Sequence, residues 1–364
     1  MAKSTSSSSI KRKQSENSRQ FLIKGLEMKK IWGFGIALAA ALGLARVPSA
    51  AAAETFELTF STYLPPAYEY VWKPIENFVK TVEEKSEGRV KIKVFHSGQL
   101  FGGYEELQAV SRGNIDITNM TGTYPSGTIP ALGIFTLPFL FEDTAHMERA
   151  LKAGLIDLGI AEELREKHNV VVLGLAPWDP YEFYSRRDPI LKLDDFKGKI
   201  WATTGAADAR AIQLLGGSPT TMSSADLYLS FDRGVIDATP RPLLTGIGRS
   251  LFEVTKHITL ATFAIDTSIL AINRKKWDSL PEDLQAIIKE AAAQRDKEQF
   301  ERVGAFITDA IAQYEAKGVK VHRLPPEVID ELRKATQPAV DEWIQSVPNG
   351  QKYLDIVNQT KSNK

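Results

Sequence analysis

The five histidines of this 364-residue chain, His96, His146, His168, His257 and His322, lie far apart in sequence, so none forms the paired helix-face pattern of a zinc site. The chain has no cysteine, which excludes disulfides, thiolate metal sites and a cysteine nucleophile together. It has neither the G-x-S-x-G elbow of a serine hydrolase nor a phosphate-binding P-loop. A fold could still gather a triad from distant residues, and a secreted enzyme stays open as an alternative reading.

Binding makes different demands: an enclosed cleft, aromatic walls and a few placed polar groups. Trp178, Tyr181, Trp201, Tyr228 and Phe263 could supply walls or pack the cores. Trp178 and Trp201 fall at strand ends, where exposure to a cleft is expected; Tyr228, on an amphipathic helix, reads as packing. Asp179, Glu182 and Asp266 are hard oxygen donors that could accept hydroxyl hydrogens or assist through a cation, but acids are also ordinary solvated surface. No metal or other cofactor is expected.

Phe56 to Ser61 alternates as a strand, and an amphipathic helix follows over about 68–86, with Trp72, Ile75, Phe78, Val79 and Val82 at helical spacing. Val90 to Phe95 is a second strand, Tyr104 to Arg112 a helix, and Ile115 to Asn119 a third strand. Such alternation builds a parallel sheet whose ligands lie beyond the carboxyl ends of its strands. One wall of a cleft is therefore expected from Tyr63 to Tyr68, Ser97 to Phe101 and Thr121 to Tyr124, with Tyr63, Gln99 and Tyr124 as contacts.

Val170 to Leu175 is an apolar strand, and the chain crosses to a second lobe near Trp178. There, strands at Lys199 to Thr203 and Ser218 to Met222 alternate with helices at Ala206 to Leu215 and from Ser223-Ser224 to Ser230. Gly216-Gly217 stops the first of these helices. A third strand over Val235, Ile236 and Ala238 is expected to halt at Pro240 and Pro242. Ile269 to Ile272 returns to the first lobe. Helical periodicity over Pro281 to Lys317 is long enough for about 50 Å if unbroken, with Gly304 leaving two helices open.

At the other end, Met28-Lys29-Lys30, a short apolar core and Pro48-Ser-Ala-Ala-Ala-Ala53 describe a cleaved secretory signal peptide, an uncleaved anchor being the rival. Residues 1–27, Ser- and Lys-rich, read as a disordered extension or an upstream start. Residues 1–53 carry nine basic and two acidic side chains, so of 45 of each sign the remainder keeps 36 basic and 43 acidic, a formal charge of −7. Nucleic acid is therefore not expected as a partner.

The order DFKGKIW, LGGSPTTMSSADLYLSFDRGVIDATPRPL in the second lobe resembles the DctP-type solute-binding proteins of tripartite ATP-independent periplasmic (TRAP) transporters. FSTYLPP (60–66), GRVKIKVF (88–95), SGQL (97–100), Asn114-Ile-Asp116, LPFLF (137–141), LAIN (270–273) and WDSLP (277–281) agree in the same order. The resemblance implies a two-lobed α/β periplasmic-binding-protein fold, with a ligand cleft between the lobes and a long helix spanning both. It divides the chain into lobe 1 (54–177), lobe 2 (178–263), a return to lobe 1 with the start of the long helix (264–304) and a C-terminal part closing lobe 2 (305–364).

The implied function is capture of a small organic acid anion in the periplasm and its delivery to membrane permease subunits. A neutral polyol or monosaccharide is the alternative ligand, and a ligand-sensing subunit the alternative role. The family's carboxylate-clamping arginine, in a KIR context, corresponds to Trp201, and a second frequent arginine to Glu182. Arg241 stands where the family often has asparagine before proline. It is expected either to replace the clamp from the opposite side of the cleft, where its planar fork suits a carboxylate, or to pair with Glu182 or Asp266. The second case would favour a neutral ligand stacked on Trp178 and Trp201. Phe263 completes the expected walls.

Overall fold

Short apolar runs bounded by Gly, Pro and Asp give eleven strands: β1 (Phe56–Ser61), β2 (Val90–Phe95), β3 (Ile117–Thr121), β4 (Val170–Pro177), β5 (Tyr181–Ser185), β6 (Ile200–Thr203), β7 (Ser218–Thr221), β8 (Ala238–Pro242), β9 (His257–Leu260), β10 (Thr267–Asn273) and β11 (Lys320–Arg323). They are seen in a computed structural model that describes residues 54–362; the extension over 1–27 and the leader over 28–53 lie outside the described residues. The strands form two sheets, ordered β2-β1-β3-β10-β4 and β11-β9-β5-β8-β6-β7. Helices cover both sheets, and the result is a two-lobed α/β fold with one sheet per lobe.

Within the first sheet β1 runs parallel to β2 and β3, as strand–helix alternation requires, while β10 returns antiparallel between β3 and β4. β3 starts two residues later than its apolar run. Asp116, just before it, accepts the Thr59 N–H on its carboxylate at 2.8 Å while its own N–H donates to Thr59 O at 2.9 Å. In the second sheet, β8 continues through both prolines instead of halting before them, pairing antiparallel with β5 from Ala238↔Ser185 to Pro242↔Tyr181. Spaced two apart, Pro240 and Pro242 lack their N–H on the same side, and Thr239 and Arg241 keep the donors that bond β5.

Four segments join the lobes, the last being the C-terminal helical part, whose residues enter both cores. Two are the short crossings after β4 and before β10, which pair with each other: Trp178 N–H donates to Asp266 O at 2.9 Å, and Phe263 N–H to Tyr181 O at 2.9 Å. The third is one unbroken helix, Glu282–Ala316, whose 35 residues span about 52 Å. Its first half buries Leu284, Ile288 and Ala292 in the core shared with Ile75 and Phe78, and its end buries Ala310 and Tyr314 beside Tyr184 of the other lobe. Gly304 does not break it; a side chain there would meet open space.

The helix Pro326–Ser346 packs on the helix Ala206–Leu214, where Arg210 grips Glu342 with two hydrogen bonds of 2.8 Å. The last helix, Gly350–Gln359, goes elsewhere than expected. It carries Tyr353 and Val357 into the first lobe's core beside Met147 and Leu155, and the His146 ring bonds Val357 O at 2.8 Å. The expectation that residues 305–364 close the second lobe is corrected to that extent. Tyr353 and Val357 fill an apolar gap between the segments around Met147 and Leu155, which the second lobe could not cover.

Candidate functional site

Where the carboxyl ends of the first lobe's strands face the second lobe, a cluster of tyrosines surrounds two arginines. β1 ends at Ser61, and the Tyr63 that follows is held by its backbone N–H on Glu106 (2.6 Å) and by its hydroxyl on Thr121 at the end of β3 (2.6 Å). Tyr124, past the end of β3, lies 5.2 Å from the Tyr63 ring and stacks on Tyr104 at 4.3 Å. These rings reach across the cleft. Tyr124 Oη accepts the Ser224 N–H at 2.9 Å, and Tyr104 Oη donates to Thr204 O at 2.8 Å.

From the second lobe comes Arg241, on β8, with only 1% of its surface exposed. Its Nη1 donates to Pro240 O (2.8 Å), and its Nη2 to Met222 O (3.0 Å) and Thr203 O (3.2 Å). Carbonyls orient the guanidinium without neutralising it. Its Nε is buried with no hydrogen-bond partner among the described residues. Neither Glu182 nor Asp266 pairs with Arg241, both having other partners. The acid that acts on its charge is the buried Asp208, without a hydrogen bond between them among the described residues.

Arg249 is a second cation, one not among the contacts expected from the sequence. Its Nη2 donates to Tyr63 O at 3.3 Å, and its guanidinium lies 5.6 Å from the centre of the Tyr68 ring and 5.9 Å from that of Tyr63. Its Nε also lacks a partner among the described residues. Gly248 makes the approach possible, since a side chain there would strike the Tyr68 ring at 2.3 Å. Trp178 stands edge-on to Tyr68 with its indole N–H buried and unpaired among the described residues. Three buried donors thus lie along one aromatic wall, and buried donors are costly unless something accepts from them.

Of the expected contacts, Tyr63, Tyr124, Trp178 and Arg241 belong to this cluster. Asp266 borders it: Tyr181 Oη donates to its carboxylate at 3.0 Å, and Thr123 Oγ1 donates to the same oxygen. Burial pushes the Asp266 carboxyl up to about 6.

The other four do not join the cluster. Trp201 stacks on Phe196 at 4.9 Å inside the second lobe, because Ala238 and Leu215 of the same core leave its ring a flat apolar slot. Phe263 packs between Phe139 and Phe183 in that core. Gln99 lies exposed in the turn after β2. Its apolar neighbour Phe101 takes up the packing there.

Glu182 is opposite Arg241 in register yet reaches the other way, accepting the N–H groups of Ala261 and Thr262 at the crossing before β10. Thr262 has φ +48°, a left-handed conformation that costs a β-branched residue free energy, and the carboxylate holds it there. Glu182 borders a separate cavity of about 790 Å³ together with Leu140, Ile307, Arg323 and Arg333. Asp179 is likewise occupied, accepting from Tyr70 Oη and from the N–H groups of Leu243 and Leu244. The three acids therefore do not converge, and among the described residues no three metal-ligating side chains gather.

Burial pushes the Glu182 carboxyl up to about 8, against two backbone hydrogen bonds that favour its charge. Between its unfolded value of 4.5 and about 8 the native chain therefore holds a proton that the unfolded chain has released. The stability this gives is complete below 4.5 and is lost as pH rises toward 8, at up to about 1.4 kcal/mol per pH unit. Glu182→Gln removes that loss. In urea unfolding at pH 6 and pH 9, its advantage over the parent should grow with pH; parallel losses in both proteins would mean that Glu182 is already ionised when folded.

A second test concerns the aromatic wall. A methyl on Gly103 would lie 2.5 Å from a Tyr124 ring carbon and 3.1 Å from Tyr63, so Gly103→Ala displaces both rings. Overpacking of this kind costs about 1–3 kcal/mol, and solute affinity measured by calorimetry should fall while helix content stays unchanged. Unchanged affinity would place these rings outside the site.

The model of "Bacterial extracellular solute-binding protein, family 7", the DctP family, matches residues 60–346. The chain belongs to this family. Among its relatives, the 2,3-diketo-L-gulonate-binding periplasmic protein of Escherichia coli is 27% identical over 297 residues, covering 79% of this chain and 87% of the relative. The sialic acid-binding periplasmic protein of Vibrio cholerae is 25% identical over 264 residues, covering 72% and 81%. The solved TRAP periplasmic solute-binding protein of Desulfovibrio desulfuricans, with bound sn-glycerol-3-phosphate, superposes with a TM-score of 0.80 at 27% identity, covering 85% of this chain and 98% of the other. The Desulfovibrio desulfuricans protein is a TRAP periplasmic solute-binding protein, and this chain shares its fold.

Proposed function

We propose that this DctP family member captures a small organic acid anion between its lobes, outside the cytoplasmic membrane, and delivers it to the permease subunits of a TRAP transporter. The observation that carries the reading is Arg241: a fully buried guanidinium held by carbonyls alone, its Nε turned to no acceptor among the described residues. The unpaired Nε of Arg249 and the Trp178 indole N–H add two further donors on the same wall. Donors without acceptors call for a ligand rich in acceptors, and an ionised carboxylate meets them with hydrogen bonds about twice as strong as neutral ones. The relatives named for 2,3-diketo-L-gulonate and sialic acid support an acid. The neutral-ligand reading required Arg241 to be neutralised by Glu182 or Asp266, and both carboxylates have other partners.

Capture and release make and break no bond, and the role asked of the lobes is hinge closure about the paired crossings. Isothermal titration of the protein against sugar acids, pyroglutamate, C4-dicarboxylates, neutral polyols and neutral sugars tests the assignment. Heat from acids alone is the expected result. Binding of a polyol or neutral sugar with no response to any acid would overturn it.

A further inference from the structure

Two histidines separated by 64 intervening positions meet on the outer edge of the second sheet. β9 and β11 pair in parallel with His257 opposite Lys320 and His322 opposite Thr259, so both rings project from the same face of adjacent strands. His257 Nδ1 and His322 Nε2 are 3.0 Å apart, with ring centroids at 5.2 Å and planes inclined by 31°. The backbone bonds Lys320 N–H to Lys256 O (2.9 Å) and Leu324 N–H to Leu260 O (3.2 Å) bracket the pair and fix its spacing. Both rings are half-buried and open to solvent on one side.

We propose that His257 and His322 form a binding site for a divalent late transition metal, Zn²⁺, Ni²⁺ or Cu²⁺, held in cis by His257 Nδ1 and His322 Nε2. Metal–imidazole bonds of about 2.0–2.1 Å place two ligating nitrogens about 2.9 Å apart at a right-angled centre and about 3.4 Å apart at a tetrahedral one. The observed spacing falls between these values, so little backbone movement is needed.

In the metal-free pair one nitrogen donates a hydrogen to the other. On binding, that hydrogen shifts to the far nitrogen of its own ring, both rings stay neutral and no net proton is released. The remaining coordination positions face solvent and belong to water. The site is remote from the solute cluster around Arg241 and shares no residue with it.

The test uses the protein without an affinity tag, stripped with chelator and titrated with ZnCl₂ and with CuCl₂ at pH 7.5. One equivalent should bind, and His257→Gln and His322→Gln should each weaken it by about tenfold or more, while unchanged circular dichroism and thermal midpoint in the absence of metal confirm both variants fold. His96→Gln, outside the pair, should bind as the parent does. In the imidazole region of the NMR spectrum, the signals lost on adding metal should be those of His257 and His322. Undiminished affinity in both pair variants, or no binding at millimolar zinc and copper, would overturn the proposal.

Discussion

Replacing Arg241 by alanine is expected to abolish measurable binding of acid solutes. Removing one partner of a buried, charged hydrogen bond costs about 2–5 kcal/mol, from about thirtyfold to several thousandfold in Kd. The substitution also deprives the carbonyls of Thr203, Met222 and Pro240 of their donor, so the thermal midpoint of the variant has to be followed beside the titration. Arg241→Lys separates the two effects. It restores a positive charge without the planar fork, and its affinity should fall between those of the parent and the alanine variant. Parent-like affinity for acids in a folded Arg241→Ala protein would remove this residue from the site.

The largest loss of stability is expected at Arg295. This arginine, on the long helix, has a side chain with no exposed surface and donates to Asp296, to Asn119 of β3 and to Ser268 of β10. Gln299, one turn on, donates to Pro177 O at 3.2 Å and accepts from Ser268 Oγ. The helix is thus bolted to three strands of the first sheet by polar contacts inside an apolar core. Arg295→Ala strips a donor from the buried Asn119 and Ser268, leaves the half-buried Asp296 with only the Leu175 N–H, and should cost about 3–5 kcal/mol. Urea unfolding followed by circular dichroism measures it, and a loss below about 1 kcal/mol, the range of surface pairs, would contradict the burial described here.

The fold was legible in the sequence because its signals are local. Apolar alternation gave β1 and β2 to the residue, and the long 3.6-residue periodicity gave the helix Glu282–Ala316. β8 departs from the sequence expectation because proline ordinarily breaks a strand, whereas here two prolines share one side of the strand and spare the donors facing β5.

The site was legible only in part. The rule that ligands lie beyond strand ends found Tyr63 and Tyr124, and correspondence with the family found Arg241. The choice between wall and core at Trp201 and Phe263 depends on which face of the second sheet is covered, and Phe196, Phe183 and Phe139 decide that from distant positions. Arg249 gave no local sign. Its place depends on the lack of a side chain at Gly248 against Tyr68, 180 residues away in sequence. The histidine pair was invisible for the same reason, since only the β9–β11 register brings His257 to His322.

The helix Glu282–Ala316 is fastened at Arg295 and Gln299 to one lobe and at Tyr314, through Tyr184 and Leu243 O, to the other. A rod of fixed length fastened at both ends behaves as a strut. The lobes cannot draw apart or slide along it without tearing a buried polar contact at one end, so a longer solute has to be met by a change of angle between the lobes and not by a wider gap.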